Sequence, residues 1–245
     1  MESVLSPILR KLSRRTALTQ SDRAAFLALP FTVKRLNGGS HIMREGDEPV
    51  DCCGLLSGYA YRHKIVGNGS RQIVSIHIAG DLLDLQNSLL GVADHNVQML
   101  TAGEVALTPA RAVRELAFAH PAIGRAMWIE TLVDGSIFRE WIANVGRRDA
   151  RSRIAHLLCE FAVRLRSAGL SEGSSYELPM TQEQIADATG LTPIHVNRTL
   201  QGLRVSGLIT SNRRTVTIED WAGLAKVGDF SAAYLHPESA GGLAL

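Results

Sequence analysis

Apolar residues change their spacing twice along the chain. Over residues 1 to about 30 they recur at helical intervals: Leu5, Ile8, Leu9 and Leu12 share one face, and Arg10, Lys11, Arg14 and Arg15 lie on the other. A second short helix is predicted through Phe26, Leu27 and Leu29 to Pro30. From Phe31 to about Val113 the period drops to two. Gly38-Gly39, Glu45-Gly46-Asp47, Ser57-Gly58, Gly67-Asn68-Gly69 and Ala79-Gly80-Asp81 break this region into short alternating runs such as Tyr59–Val66 and Arg71–Ile78. Regular turns between period-two strands predict an antiparallel roll, with Gly67-Asn68-Gly69 as a hairpin turn. Residues 82 to 92 (LLDLQNSLLGV) interrupt the strands with an apolar, helix-like insertion, a natural place for a small-molecule pocket.

From Pro121 to about Arg147 the helical period returns, in a segment longer than the usual helix of about 11–12 residues. Its stripe runs Ile123, Met127, Glu130, Asp134, Ile137, Trp141 and Asn144. Such a helix is best stabilised against a copy of itself, which predicts a dimer interface at Ile123, Met127, Ile137 and Trp141. Glu130 and Asp134 weaken that contact unless they meet arginines; the alternative is that the stripe packs along the chain's own barrel. A hinge at Gly146–Ala150 leads to an amphipathic helix carrying Ile154, Leu157, Leu158, Phe161, Ala162 and Leu165.

Thr181–Leu200, TQEQIADATGLTPIHVNRTL, reads as a helix-turn-helix. Thr181 caps the first helix, with Gln184 as the return partner of a capping box. Gly190 falls where the turn needs positive φ. Thr192-Pro193 supplies N-cap and first position of a second helix. Val196, Leu200 and Leu203 bury one face of it, leaving Ile194, His195, Asn197, Arg198 and Gln201 outward, a set suited to base edges and phosphates. Gly207–Thr210 and Thr215–Ile218 around Ser211-Asn212-Arg213-Arg214 predict a β-hairpin with a basic tip, the wing. Between Gly190 and Ile218 stand four arginines and no acidic residue. The predicted DNA contacts are Thr181, Thr192, His195, Asn197, Arg198, Gln201, Arg213 and Arg214. The whole is α+β: a sensor region of N-terminal helices and antiparallel β-roll (1–120), a dimerisation helix and hinge (121–148), a winged helix-turn-helix (149–235) and a flexible tail (236–245).

Composition changes this picture little. The 245 residues, 45% hydrophobic and 20% charged, suit an ordinary globular protein of two domains. A net charge of +2 is too small to signal nucleic acid, so the local arginines carry that inference. With no bilayer-spanning apolar run and no signal sequence, the expected setting is the cytoplasm, without membrane contact. The three cysteines, Cys52, Cys53 and Cys159, form no disulfide framework; adjacent Cys52 and Cys53 in a strand point to opposite faces and ligate no common ion. No metal-ligand set is predicted.

The order of roll, long helix and winged helix-turn-helix resembles the CRP/FNR superfamily of bacterial transcription regulators. The marks that carry it are Arg44-Glu45-Gly46-Asp47, Gly58, Gly69–Ile73, Gly80-Asp81 and Thr181–Ile209 with Val196, Arg198 and Leu200. The resemblance implies a homodimer on a two-fold symmetric operator in double-stranded DNA, gated by a signal sensed in the roll. An activator of this kind would touch RNA polymerase through exposed loops. Arg198 stands where relatives have a guanine-reading arginine. Pro193 and Ile194 replace polar reading residues, so the operator should differ from familiar ones. In cyclic-nucleotide binders the effector positions hold a Gly-Glu pair and an Arg-Ser pair; here they are Asp84-Leu85 and His95-Asn96. Cyclic AMP is disfavoured, since a phosphate would face Asp84 and Asp94 without an arginine. An iron–sulfur cluster needs four cysteines. Haem, with His41, His63, His77 or His95 as axial ligand, is the less favoured remaining cofactor, and no effector is identified. A catalytic roll using His77–Asp81 or Asp84–His95 pairs lacks an accompanying nucleophile motif, so no enzyme activity is expected. The competing reading is a constitutive DNA-binding regulator whose roll has lost its ligand.

Overall fold

A computed structural model describes residues 3–237; the predicted tail falls largely outside them. The described residues divide into two compact units, residues 3–64 with 76–134, and residues 65–75 with 135–237.

In the first unit, α1 (Ser6–Arg15) buries Ile8, Leu9 and Leu12. α2 (Gln20–Leu27) starts with a capping box between Thr19 and Asp22. The roll has two antiparallel sheets. One orders β1 (Thr32–Leu36), β7 (Gly103–Pro109) and β3 (Asp51–Ser57); the other orders β2 (His41–Met43), β6 (Asn96–Met99), β4 (Ala60–Ile65) and β5 (Arg71–His77), whose residues 71–75 are grouped with the second unit. Met43, Cys53, Leu55, Leu83, Val97, Met99 and Val105 fill one core cluster. Cys52 and Ala106 instead join a cluster with α1, α2, α3 (Ala110–Ala119) and the start of α4 (Pro121–Arg147). The strand pleat therefore sends Cys52 and Cys53 into different cores, as their adjacency predicts. Gly58, at φ +78°, is required by close approach: a Cβ there would lie 2.6 Å from the Ala102 carbonyl oxygen. The 82–92 insertion is a single 3-10 turn, Leu85–Ser88, followed by exposed Leu89, Leu90 and Val92.

The second unit holds α5 (Ala150–Ala168), capped by Asp149 and ended by left-handed Gly169. β8 (Ser175–Glu177), α6 (Gln182–Thr189), α7 (Pro193–Val205), β9 (Ile209–Asn212), β10 (Thr215–Ile218) and α8 (Trp221–Val227) follow. β8, β10 and β9 form one antiparallel sheet. The wing is thus three-stranded, with β8 added to the predicted hairpin by pairing with β10.

The stripe predicted for the dimer faces the chain's own interior. Ile123, Met127, Ile137 and Trp141, the residues expected at a dimer interface, are all buried within the single chain. Trp141 Nε1 donates to buried Glu160 at 2.9 Å. The stripe's two acids find basic partners within the chain: Glu130 takes Lys11 at 2.6 Å and Arg15 at 2.5 Å, and Asp134 pairs with Arg62. The exposed large apolar residues of α4 include Trp128, Leu132 and Ile142. Among the described residues no helix is long and apolar enough to cross a membrane.

Candidate nucleic-acid interface

Local chemistry builds α6 and α7 as their sequence requires. Thr181 Oγ1 accepts from Gln184 N at 3.2 Å while Gln184 Oε1 accepts from Thr181 N at 2.9 Å, closing the capping box. Ile185, Ala186 and Ala188 bury the inner face of α6. Gly190 ends it at φ +65°, a conformation that costs an L-residue with a Cβ roughly 1–2 kcal/mol. Thr192 Oγ1 then accepts from His195 N at 3.3 Å to start α7. Both threonine hydroxyls act as caps, presenting two helix N-termini and their free N–H groups on one unit.

On α7, Val196 and Leu203 are fully buried and Leu200 is half-buried. Ile194, His195, Asn197, Arg198 and Gln201 are exposed. Asn197 Nδ2 lies 3.4 Å from Gln182 Oε1, which brings Gln182 of α6, not singled out by sequence, to the same surface. Arg204 donates to Ser211 Oγ at 2.9 Å, joining α7 to the wing. The wing tip is a two-residue loop, because Asn212 pairs with Thr215 and leaves Arg213 and Arg214 between them. Both are exposed, and Arg213 takes φ +53°. With Asn212, Thr215 and Glu177 they line a shallow, open cleft. Amide, imidazole and guanidinium groups thus project from one helix, with two further guanidiniums on the adjacent hairpin. That arrangement can read base edges and grip phosphates.

The roll's predicted effector residues are engaged with their own neighbours. Asp84 is buried, and its Oδ1 accepts from Cys53 N at 2.5 Å. Burial pushes its carboxyl up to about 7, against the pull of that N–H and of Arg62. Leu85 opens the 3-10 turn, half-buried. His95 Nδ1 lies 2.6 Å from Asp94, and Asn96 Oδ1 accepts from Glu45 N at 3.3 Å. His77 is buried against Asp81 at 3.2 Å, and burial together with nearby Arg62 drives its pKa to about 4. Asp81 also holds Lys11 at 2.8 Å. His41 and His63 approach to 6.1 Å between ring centres. Burial pushes the Cys52 and Cys159 thiols up to about 12 and Cys53 well above its usual value. Thiols so protonated are poor nucleophiles.

Comparison with known proteins bears on this surface directly. Residues 152–227 match the Crp-like helix-turn-helix domain family. The chain is 27% identical over 220 residues to the transcriptional activator protein FnrL of Cereibacter sphaeroides, covering 88% of each chain. It is 26% identical over 196 residues to the fumarate and nitrate reduction regulatory protein of Escherichia coli strain K12, covering 79% of this chain and 77% of that one. Among solved structures, FixK2 from Bradyrhizobium japonicum superimposes with a TM-score of 0.76 at 22% identity, over 83% of this chain and 100% of that one.

Proposed function

We propose that this chain is a DNA-binding transcription regulator of the CRP/FNR type, as its Crp-like helix-turn-helix domain and its similarity to FnrL support, and that it forms a two-fold symmetric dimer that inserts one α7 into each of two major-groove half-sites. The observation that carries this reading is the single exposed face of α7 beside a wing tip of two arginines. Arg198 contacts a base edge, with His195, Asn197 and Gln201 beside it; Ile194, 66% exposed, suits a thymine methyl. Thr181 and Thr192 hold helix N-termini toward phosphates, and Arg213 and Arg214 neutralise the backbone. The second copy pairs along the exposed face of α4. Trp128 and Ile142 stand two heptads apart there, with Leu132 between them on an apolar face that water disfavours. The protein works with DNA in the cytoplasm and needs no catalytic group; an activating role adds a contact with RNA polymerase. Selection of bound duplexes from random double-stranded DNA tests the proposal. Recovery of an inverted repeat with half-sites about one helical turn apart supports it, and recovery of no common sequence overturns it.

Two substitutions separate base reading from backbone binding. Arg198→Ala is expected to cost about 1–3 kcal/mol on the selected operator and to relax discrimination at one base pair. An equal loss on operator and random DNA would remove the base-contact assignment. Arg213→Gly should behave oppositely, because glycine adopts φ +53° without the Cβ strain an arginine carries there. Folding stability should hold or rise, while affinity for every duplex falls and the salt dependence flattens by about one phosphate contact. An unchanged slope in binding titrations across salt concentrations would exclude the wing contact.

The signal that gates binding is sensed, in this proposal, within the roll, around Asp84, Leu85, His95 and Asn96. One observation favours the constitutive reading instead. Buried Arg62 already donates to the Leu83 carbonyl oxygen, its Nε at 2.8 Å, and pairs with Asp134. Operator affinity that is tight in purified protein and unmoved by oxidant, reductant or carbon monoxide would decide for that reading.

A further inference from the structure

α5 starts with cations at the wrong end. Arg151 and Arg153 lie in and just beyond its first turn, where the N-cap Asp149 supplies a carboxylate but the turn itself carries no acid. The helix dipole opposes a positive charge there by roughly 0.3–1 kcal/mol. Besides Asp149, a set of contacts to the helix-turn-helix offsets this. Arg151 donates to Ser206 Oγ, at the end of α7, at 2.8 Å.

Arg153 divides its guanidinium between two elements. Its Nε donates to the Arg148 carbonyl oxygen, in the junction after α4, at 2.7 Å. Its Nη1 donates to the Thr189 carbonyl oxygen at 3.0 Å, with the Gly190 oxygen at 3.5 Å. Those are terminal carbonyls of α6, which lack intrahelical donors and favour a cation. The turn is also close to α4 itself: a Cβ built on Gly190 would lie 3.6 Å from Arg153 Nη1 and 3.9 Å from Val145 Cβ. A planar guanidinium aims donors in two fixed directions at once, which a lysine ammonium cannot reproduce.

We infer that Arg153 is the positioning residue that fixes the angle between α4 and the recognition helix α7, and so sets the half-site spacing that the dimer accepts. The inference rests on the two-fold DNA-binding reading above. α7 begins three residues after Gly190, at Pro193, so holding the carbonyls of the turn orients the whole helix. Arg148 directly follows α4, the helix along which the two copies pair. A tilt at this bridge is therefore doubled by the two-fold axis when it reaches the DNA. Arg153 itself touches no base in this account; it acts through the turn.

The probe is the inverted-repeat duplex recovered by selection, together with versions carrying one base pair more or fewer between the half-sites. Each such change rotates one half-site by about a tenth of a helical turn. Wild type should strongly prefer the recovered spacing. Arg153→Ala should lose that preference several-fold while keeping wild-type discrimination between matched and mismatched base pairs within a half-site. Arg153→Lys keeps the charge but not the two-way fork, and should behave like the alanine variant. Arg151→Ala, which leaves the junction contact intact, should retain the spacing preference. Unaltered spacing preference in Arg153→Ala, or its restoration by lysine, overturns the inference. Loss of base discrimination together with spacing also overturns it, because the turn would then have failed as a structure. A wild-type protein indifferent to spacing overturns the two-fold reading, and the inference with it.

Discussion

Replacing Asp134 by alanine is expected to destabilise the protein by roughly 3 kcal/mol, toward the lower end of what removing one partner of a buried ion pair costs. The Arg62 side chain is 5% exposed and that of Asp134 27% exposed, so water reaches the acid more easily than the base. Burial pushes the Asp134 carboxyl up, yet Arg62 and His77 outweigh it and hold the group below its ordinary value. Alanine removes the carboxylate while the guanidinium stays in the low-dielectric interior. The double substitution Arg62→Met with Asp134→Leu should cost far less than the sum of the single changes, because both charges leave together. Urea unfolding of the two single variants and the double gives the coupling directly. A coupling near zero would show that the pair is structurally incidental.

That pair also marks where sequence pattern stops being informative. The helix-turn-helix was readable because its determinants are local: Thr181 with Gln184, Gly190, and Thr192 with Pro193 all act within four residues, and each took its expected geometry. Exposure of Asn197 and Arg198 follows from the burial of Val196 and Leu203 on the same helix. α4 is different. Periodicity says that a face is buried, but not what buries it. Ile123, Met127, Ile137 and Trp141 form the more regular stripe, yet they pack inside the chain, while Trp128, Leu132 and Ile142 remain exposed. The clue was Glu130 and Asp134. Acids within an apolar stripe need bases, and here Lys11, Arg15 and Arg62 supply them from 72 to 119 residues away in sequence. No local rule reaches that far. β8 escaped for the same reason: three residues long, it exists by pairing with β10. The bridging role of Arg153 was likewise silent, since its acceptors are backbone carbonyls of other elements.

Asp84→Asn should make the protein more stable at pH 8 by up to about 4 kcal/mol and should change the shape of its pH profile. The folded-state carboxyl titrates at about 7 instead of 3.8, so the folded protein holds a proton that the unfolded chain has already released. Its contribution is fully present below pH 3.8 and is lost as pH rises through about 7. Roughly three pH units at about 1.4 kcal/mol each give the 4 kcal/mol. His77 works in the opposite sense. Its folded pKa of about 4 lies below the ordinary 6.5, so its contribution is present above pH 6.5 and lost as pH falls through 4. Between pH 4 and 6.5 the two slopes cancel, one group binding an extra proton in the folded state and the other in the unfolded state. Wild type should therefore show little dependence on pH from this pair across that interval. The asparagine variant, whose Oδ1 can still accept from Cys53 N, keeps only the His77 slope and should gain about 3 kcal/mol from pH 4 to 6.5. Urea unfolding at pH 4, 6.5 and 8 measures both arms. Parallel profiles for wild type and variant would mean that Asp84 is ionised in the folded protein throughout, and the buried, backbone-bonded acid would have to be reassigned to a solvated site open to a ligand.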